Sequence, residues 1–309
     1  MEFETFAPAP AKANPLEWLS RVSRPWRRRP LGIFGAAVIA FLVIVALIGP
    51  TVAPYDPSAF TGAQLQGPSL THPFGTNNLQ QDVFSRTIYG AQISVAVAFS
   101  TTTLGVGIGM ILGVISAYAG GFIDLAIQRM MEVIASLPGL MLALVMIAAL
   151  GRPSETSNNM FLIVWELRTL ELAIALGFTY GVMRVVRAAV LQQKSQLYVE
   201  AAVVMGVSTL RIMFRHILPN AFPVVIVAFS SIIGAVILIE AGLSFLGYGV
   251  SVGTPSWGID LSNRNREFFL EAPWLLIAPA AALSLTVIGF NFLGDTLRDI
   301  LDPRMRGTE

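Results

Sequence analysis

Cysteine is absent from the 309 residues, and charged residues are scarce. The absence of cysteine excludes disulfide bonds and cysteine-ligated metal sites. Only 13% of the residues are Asp, Glu, Lys or Arg, whereas a soluble domain carries about a quarter. With 54% hydrophobic residues and a mean hydropathy of +0.68, the composition predicts a membrane protein with several spans.

Motifs for catalysis and nucleotide binding are absent as well. The histidines are His72 and His216, no HExxH pair occurs, and no nucleophile elbow is found. Neither lysine, Lys12 or Lys194, follows a glycine, so the phosphate-binding loop GxxxxGK followed by Ser or Thr is missing. We therefore expect no metal site, no cofactor in this chain and no enzymatic activity. The net charge of +1, with basic residues spread over several loops, argues against a nucleic-acid partner.

Six segments are apolar enough to cross a lipid bilayer, which takes roughly 17–25 residues. One of them is weak, because Leu172–Met183 is apolar for only twelve residues. It extends towards Val190 if Arg184 and Arg187 reach the membrane interface with their charged ends. The five clear runs are Leu31–Ala53, Gln92–Tyr118, Val133–Leu150, Phe222–Leu243 and Pro273–Leu293.

The basic residues indicate the orientation of these spans. With the N-terminus inside, fifteen Lys and Arg residues fall on the inner side and five on the outer side. Both termini are therefore expected in the cytoplasm, with WRRRP (Trp26–Pro30) as an interfacial anchor. The expected units are a cytoplasmic segment (1–30), a first transmembrane helix (31–53), an extracytoplasmic loop (54–91), a core of five spans (92–294) that includes a cytoplasmic loop (191–221), and a cytoplasmic tail (295–309).

Small residues, a proline and a carboxylate stand out inside the spans. LGVGIGMILG places Gly105, Gly109 and Gly113 on one helix face, where another helix can approach closely. Pro138 in SLPGL predicts a kink, which is either fixed or a hinge used in gating. Glu240 in ILIEAGLSFLG should face protein or water, because a charge in lipid is costly. It is either bound to a structural partner or part of a transport pathway.

The stretch YVEAAVVMGVSTLRIMFRHILPN lies between two spans on the cytoplasmic side. Its pattern predicts a helix over Ser195–Met205, with Gly206 in the left-handed conformation that ends a helix. Ser208 or Thr209 then caps a second short helix, which Pro219 ends. The result is two helices at an angle with a glycine corner.

This loop carries too many apolar side chains for a solvated loop. It is either an amphipathic helix on the lipid surface or a docking element for a cytoplasmic protein. In the docking interpretation Glu200 forms an ion pair or cap, with Arg211 or Arg215 as its partner, and small alanines admit the partner protein. The candidate docking residues are Glu200, Ala201, Ala202, Gly206, Ser208, Leu210, Arg211, Met213, Phe214 and Arg215.

The same stretch resembles the EAA motif of ABC-importer permeases, with Glu200, Ala201, Ala202, Gly206 and Leu218–Pro219 in matching places. Other segments resemble the C-type permease of the dipeptide/oligopeptide/nickel branch. They are APYDP, HPFGT, DVFSRTIYGAQIS, EAGLSFLGYG, PSWG, APW and NFLGDTLRDILDPR, in family order within residues 28–304.

Two stretches depart from the family pattern. Gln80 and Gln81 stand where the family usually shows Gly-Arg, and the stretch Asn158 to Glu171 is longer and more charged than usual. Both lie on the outer side in the expected topology. They therefore affect contacts with a binding protein and the choice of substrate rather than the coupling to ATP.

The resemblance implies an all-α polytopic membrane protein with six transmembrane helices and the type I ABC importer (MetI-like) permease fold. It implies a permease for di- or oligopeptides in the cytoplasmic membrane of a prokaryote. The implied partners are a homologous B-type permease, two P-loop ATPase subunits that bind ATP and Mg, and an extracytoplasmic substrate-binding protein.

Other interpretations differ in cargo or in mechanism. Nickel chelates, glutathione and oligosaccharides are alternative cargoes of the same permease type. An ion-coupled secondary transporter would usually place several ionisable residues in the membrane, and Glu240 is nearly alone there. A membrane-embedded enzyme would need a catalytic cluster, and the sequence offers none.

Overall fold

A computed structural model describes residues 29–150, 168–250 and 253–301. Within these ranges the chain is helical, with one isolated β-bridge between Thr76 and Asp82 and no strand. The expected anchor at residues 26–28, the outer stretch at 158–167 and the end of the tail at 302–309 lie outside the described residues.

Five helices in the described ranges are long and apolar enough to cross a membrane, and the bent helix pair Gly121–Ala135 and Gly139–Leu150 gives a sixth when it is taken as one span. The prediction of an all-α membrane protein with six transmembrane helices is therefore confirmed. In chain order the helices are α1 (Pro30–Val52), α2 (Val83–Ala119), α3 (Gly121–Ala135), α4 (Gly139–Leu150), α5 (Arg168–Lys194), α6 (Leu197–Val204), α7 (Thr209–Ile212), α8 (Leu218–Phe245), α9 (Trp257–Asp260), α10 (Asn263–Arg266) and α11 (Trp274–Leu301), with a π-helical turn (Met213–Ile217) between α7 and α8.

Helix α2 is longer than its apolar run. It begins at Val83, nine residues before the expected span, because the Asp82 carboxylate accepts a hydrogen bond from the Ser85 backbone N–H at 2.7 Å and caps the helix. Its 37 residues extend for about 55 Å, whereas the hydrocarbon core is about 30 Å thick. Part of α2 therefore projects from the membrane.

The third span is broken where a kink is expected. Helices α3 and α4 meet at 90° across Ser136–Pro138. Pro138 has no backbone N–H to continue the helix, and the Ser136 hydroxyl donates to the Val133 carbonyl at 2.7 Å, which satisfies one of the carbonyls at the end of α3. The described part of α4 has twelve residues, and α3 and α4 together are long and apolar enough for one span.

The glycine face of α2 lies against α5. A Cβ atom at Gly105 would lie 3.0 Å from the Ala175 carbonyl oxygen, and one at Gly113 would lie 2.7 Å from that of Met183. At Gly109 a Cβ would lie 2.7 Å from the Val182 Cβ atom. These distances leave no room for a side chain, so glycine lets the two helix backbones approach closely.

This contact predicts a sharp difference between two glycines of one helix. We expect Gly109→Leu to separate α2 from α5 and to lower the unfolding temperature of the purified complex, because overpacking a tight contact costs about 1–3 kcal/mol. Gly107→Leu is the control, since a Cβ at Gly107 meets nothing within 4 Å. Equal unfolding temperatures for the two variants would contradict the packing role of Gly109.

Candidate functional site

The loop between α5 and α8 begins with helix α6 and turns at Gly206, whose φ is +75°. The backbone N–H of Gly206 donates to the Val203 carbonyl at 2.9 Å, and that of Val207 donates to the Ala202 carbonyl at 3.1 Å. These two bonds form a Schellman motif, which ends a helix with a left-handed residue. Gly206 therefore sets the corner between α6 and α7.

The second helix does not end at Pro219. The chain stays helical from Thr209 to Phe245, through the π-helical turn and into α8. Pro219 lies in the first turn of α8, and the wide turn before it accommodates a residue that cannot donate a backbone hydrogen bond. The prediction that Pro219 stops the helix is therefore wrong. Ser208 is the residue before α7, but its side chain makes no capping hydrogen bond.

One face of the loop is buried inside this chain. Val199 and Ala202 of α6 pack with Ile212 and Ile217 in a cluster that includes Val186 of α5. Ala202 is only 3% exposed, so the expectation that it contacts a partner protein is wrong. Its small side chain lets α6 lie close to its own bundle, and Ala201 beside it is exposed.

The opposite face presents apolar side chains outward. Leu210 is 65% exposed and Phe214 is 61% exposed, whereas Met213 is half-buried against the internal cluster. Exposed apolar side chains on α6 and at its end were not among the predicted docking residues, although the run VVM just before Gly206 indicated them. They are Leu197, Val203, Val204 and Met205.

The polar candidates of the loop remain unpaired within the described part of the chain. Glu200, Arg211 and Arg215 are exposed, and neither arginine forms an ion pair with Glu200 there. Glu200 lies in the first turn of α6, where a negative charge is favoured by the helix dipole. These side chains are available to a partner protein.

A small polar cluster ties the loop to both flanking spans. The Tyr198 hydroxyl donates to the Gln193 side chain near the end of α5 at 2.7 Å. Asn220 of α8 donates to the Tyr198 hydroxyl at 3.3 Å and to the His216 carbonyl at 2.7 Å. Together with the buried cluster, these bonds connect the loop to α5 and α8.

Glu240 is fully buried near the end of α8. Its carboxylate accepts hydrogen bonds from the hydroxyls of Ser244 at 2.8 Å, Ser94 at 3.4 Å and Ser256 at 3.5 Å. It thus joins α2, α8 and the segment before α9. This geometry favours a structural role over a place on the pathway.

A second buried carboxylate, Glu171 of α5, was not singled out from the sequence and accepts a hydrogen bond from the Ser100 hydroxyl at 2.5 Å.

We expect Glu240→Gln to lower the unfolding temperature of the complex while transport per assembled complex stays unchanged. In the wild type, three serine hydroxyls share the two carboxylate oxygens of Glu240, whereas a glutamine amide has only one oxygen. A hydroxyl that loses its acceptor becomes an unsatisfied buried donor, which costs about 1–3 kcal/mol. Ser231→Ala is the control, because Ser231 is on the same helix and donates only to the Val227 carbonyl within its own helix. Altered transport with unaltered stability would instead place Glu240 on the pathway.

Pro138 and its neighbours lie at an open position between spans. Pro138 is exposed at the break, and Gly139 beside it has its Cα atom 3.6 Å from the Cβ position of Gly177 on α5. The break therefore lies beside Gly177 of α5 rather than beside the loop that follows α5. This geometry is compatible with both interpretations of the kink, a fixed bend and a hinge used in gating.

A buried ion pair, which no local sequence pattern indicated, joins α2 to α9. Arg86 of α2 donates from Nε and Nη2 to one Asp260 carboxylate oxygen at 3.0 and 2.7 Å. Arg86 also donates to the Gln81 side chain at 3.1 Å and to the Pro57 carbonyl at 3.2 Å. Burial raises the pKa of Asp260, and the Arg86 guanidinium opposes that rise.

Comparison with known proteins identifies the family. Residues 105–307 match the family described as binding-protein-dependent transport system inner membrane component, and residues 18–73 match the N-terminal TM domain of oligopeptide transport permease C. The chain is 35% identical over 311 residues to the dipeptide transport system permease protein DppC of Alkalihalophilus pseudofirmus, covering 97% of this chain and 96% of that protein. It is 36% identical over 308 residues to the glutathione transport system permease protein GsiD of Escherichia coli, covering 97% of each. The chain therefore belongs to the binding-protein-dependent inner membrane permeases, and it is a C-type permease of an ABC importer.

Proposed function

We propose that this permease imports dipeptides or oligopeptides and that its loop at residues 191–221 docks in a cleft of an ATPase subunit. The observation that carries the proposal is an ordered loop with one face buried in its own bundle and an apolar face exposed. The dipeptide permease among the relatives supports the cargo class. The missing phosphate-binding loop supports an energy source in another subunit.

The docked loop acts through a few well-packed side chains, since binding energy usually concentrates in a small part of an interface. Leu210, Phe214 and Val204 are the anchors, because they are large, apolar and mostly exposed. Ala201 admits the partner surface. The exposed charges of the loop, on Glu200 and the two arginines, form the polar rim of the interface.

Transport then follows from different contacts of the loop in two states of the ATPases, because a ligand shifts an equilibrium only through unequal affinity for its states. ATP binding and hydrolysis move the ATPase cleft, and the docked loop follows. The buried contacts of Val199, Ala202 and Ile217 pass this movement to α5 and α8. These spans border the pathway, which the chain forms together with a homologous B-type permease.

The placement of the termini and loops on the two sides of the membrane is proposed from the distribution of Lys and Arg residues along the chain. Both termini and the loop lie in the cytoplasm, and the ordered segment before α2 lies outside, where a substrate-binding protein delivers its cargo. The first helix stands beside a core of five spans at residues 92–294. Two ATPase subunits bind ATP and Mg on the cytoplasmic side, and no cofactor binds to this chain.

The test is uptake by the purified complex of two permeases and two ATPases in lipid vesicles, with the cognate binding protein and a radiolabelled dipeptide outside. We expect uptake that requires ATP inside the vesicles and that stops when the phosphate-loop lysine of the ATPases is replaced. Uptake that persists without ATP and collapses with an uncoupler would assign the chain to ion-coupled transport instead.

Glutathione is the second candidate cargo, because a glutathione permease is as similar to this chain as the dipeptide permease. Both cargoes have peptide-like backbones, so the distinction lies in the side-chain amide linkage of glutathione. Competition decides between them: excess unlabelled dipeptide reduces the uptake of labelled dipeptide under the first proposal. Under the second, only glutathione competes for labelled glutathione, and dipeptides have no effect.

A further inference from the structure

The turn between α2 and α3 contains two consecutive glycines in the left-handed region. Gly120 has φ +65° and Gly121 has φ +53°. A Cβ atom at either position would meet nothing within 4 Å. Glycine is therefore needed here for its backbone conformation and not for lack of space. The two glycines themselves make no close side-chain contact, so the angle between the helices depends on contacts made by other residues.

Helix α3 has few other contacts that hold it. Met131 is its one buried residue among the fifteen, and apolar residues such as Phe122 and Val133 are 83% and 72% exposed. At its far end, the break at Ser136–Pro138 leads into α4. A helix with a glycine turn at one end and a break at the other takes its orientation from the few contacts it does make.

The strongest of these contacts is made by Asp124, in the first turn of α3. Arg187 of α5 donates to its two carboxylate oxygens, from Nε at 2.8 Å and from Nη2 at 2.6 Å. Gln128 donates to the same carboxylate at 2.8 Å, and so does the Ser116 hydroxyl. A bidentate arginine–carboxylate pair fixes direction as well as distance. The two side chains are only 16% and 27% exposed, so water screens the pair less than a surface pair.

Arg187 lies on the part of α5 that leads into the loop at residues 191–221, which we call the coupling loop. Lys194, two helical turns later, is the last residue of α5 and donates to the Tyr118 carbonyl near the end of α2 at 3.2 Å. Helix α6 begins three residues further on, at Leu197. The same short stretch of α5 therefore carries the loop and holds both sides of the glycine turn.

We propose that the Asp124–Arg187 pair is the joint through which movement of the coupling loop reaches α3 and the break before α4. Helix α3 swings about Gly120 and Gly121, and the pair makes it move together with α5. The two side chains are positioning residues of the transport cycle. This inference rests on the proposed docking of the loop on an ATPase and specifies how the docked loop acts.

The first test uses the complete importer in lipid vesicles and measures transported substrate per ATP hydrolysed. We expect Asp124→Asn to leave the complex assembled and hydrolysing ATP, with this ratio lowered by about ten-fold, within the range of coupling between distant sites. Arg187→Gln should act alike, and the double variant should be no worse than the worse single variant, because the two residues act as one unit.

The control is Glu132→Gln, which removes an exposed ion pair with Arg129 on the same helix and should leave the ratio unchanged. A wild-type ratio in Asp124→Asn would overturn the joint, as would strictly additive losses in the double variant. In either case the importer would still transport with ATP, so the proposed function would stand while this inference failed.

A second measurement leaves Asp124 and Arg187 in place. The chain has no cysteine, so in an otherwise cysteine-free complex spin labels attach selectively to pairs of introduced cysteines. One variant carries them at Met130 on α3 and Val185 on α5, and a second at Met130 and Ile288 on α11; all three positions are exposed. We expect the 130–185 distance to stay constant when ATP is trapped, while the 130–288 distance changes. A change confined to the 130–185 pair would overturn the joint alone. No nucleotide-dependent change in either pair would overturn the joint and the docking of the loop together.

Discussion

Gly206→Val abolishes most transport while the six spans remain inserted. Gly206 has φ +75° at the corner of the coupling loop, and a residue with a Cβ atom pays roughly 1–2 kcal/mol for the left-handed conformation. Valine, which is branched at Cβ, is among the least suited residues there. The strained corner rotates α6 against α7, so the exposed apolar side chains no longer form one surface. We expect a loss of about ten-fold or more, measured as ATP-driven uptake into vesicles.

Gly206→Asn is the matched variant, because asparagine adopts the left-handed conformation more readily than other residues with a side chain. If only the backbone conformation matters, Asn restores uptake to near the wild-type level. If both variants fail, the ATPase approaches Gly206 too closely for any side chain, since this chain itself leaves open space there. Wild-type uptake by Gly206→Val would contradict the role of the corner.

Arg86→Met destabilises the complex more than any single change in an exposed ion pair. Arg86 is 5% exposed and Asp260 is 7% exposed, so the substitution leaves a carboxyl group buried without its partner. Breaking a buried pair in this way costs about 3–5 kcal/mol. We expect a large fall in the unfolding temperature of the purified complex and a lower yield.

Two further variants separate the charge from the packing. In Arg86→Met/Asp260→Leu both charges are gone, and we expect part of the lost stability to return, because an apolar pair needs no compensation for burial. Arg129→Met removes an exposed pair on α3 and should change the unfolding temperature little. Equal effects of Arg86→Met and Arg129→Met would show that the buried Arg86–Asp260 pair contributes nothing to the fold.

Local sequence signals predicted the features that depend on one residue or on one helix face. The left-handed corner at Gly206 follows from glycine itself, and the close approach of another helix at Gly105 and Gly109 follows from their spacing on α2. The number of spans follows from the lengths of the apolar runs. Each of these signals is complete within a short stretch of chain.

Features that depend on which helices are neighbours were not predictable in this way. Arg86 and Asp260 are 174 residues apart, and Asp124 and Arg187 are 63 apart, so nothing local connects them. Ala202 is buried because the face of α6 that carries it packs against the chain's own helix bundle. The EAA pattern does not reveal which face of α6 is buried. The two ion pairs and the burial of Ala202 are therefore consequences of tertiary packing, which a local sequence pattern does not contain.

The docking of the coupling loop is tested most directly by a crosslink at Ser208. This residue is exposed beside the glycine corner, and Ser208→Cys introduces the only cysteine of the chain. Paired with a cysteine in the cleft of the ATPase, in an otherwise cysteine-free complex, it should form a disulfide under mild oxidation and become shielded from a bulky thiol reagent. If Cys at position 208 reacts freely with that reagent in the assembled, transporting complex and no crosslink forms, the loop is a membrane-surface element and does not couple to the ATPase.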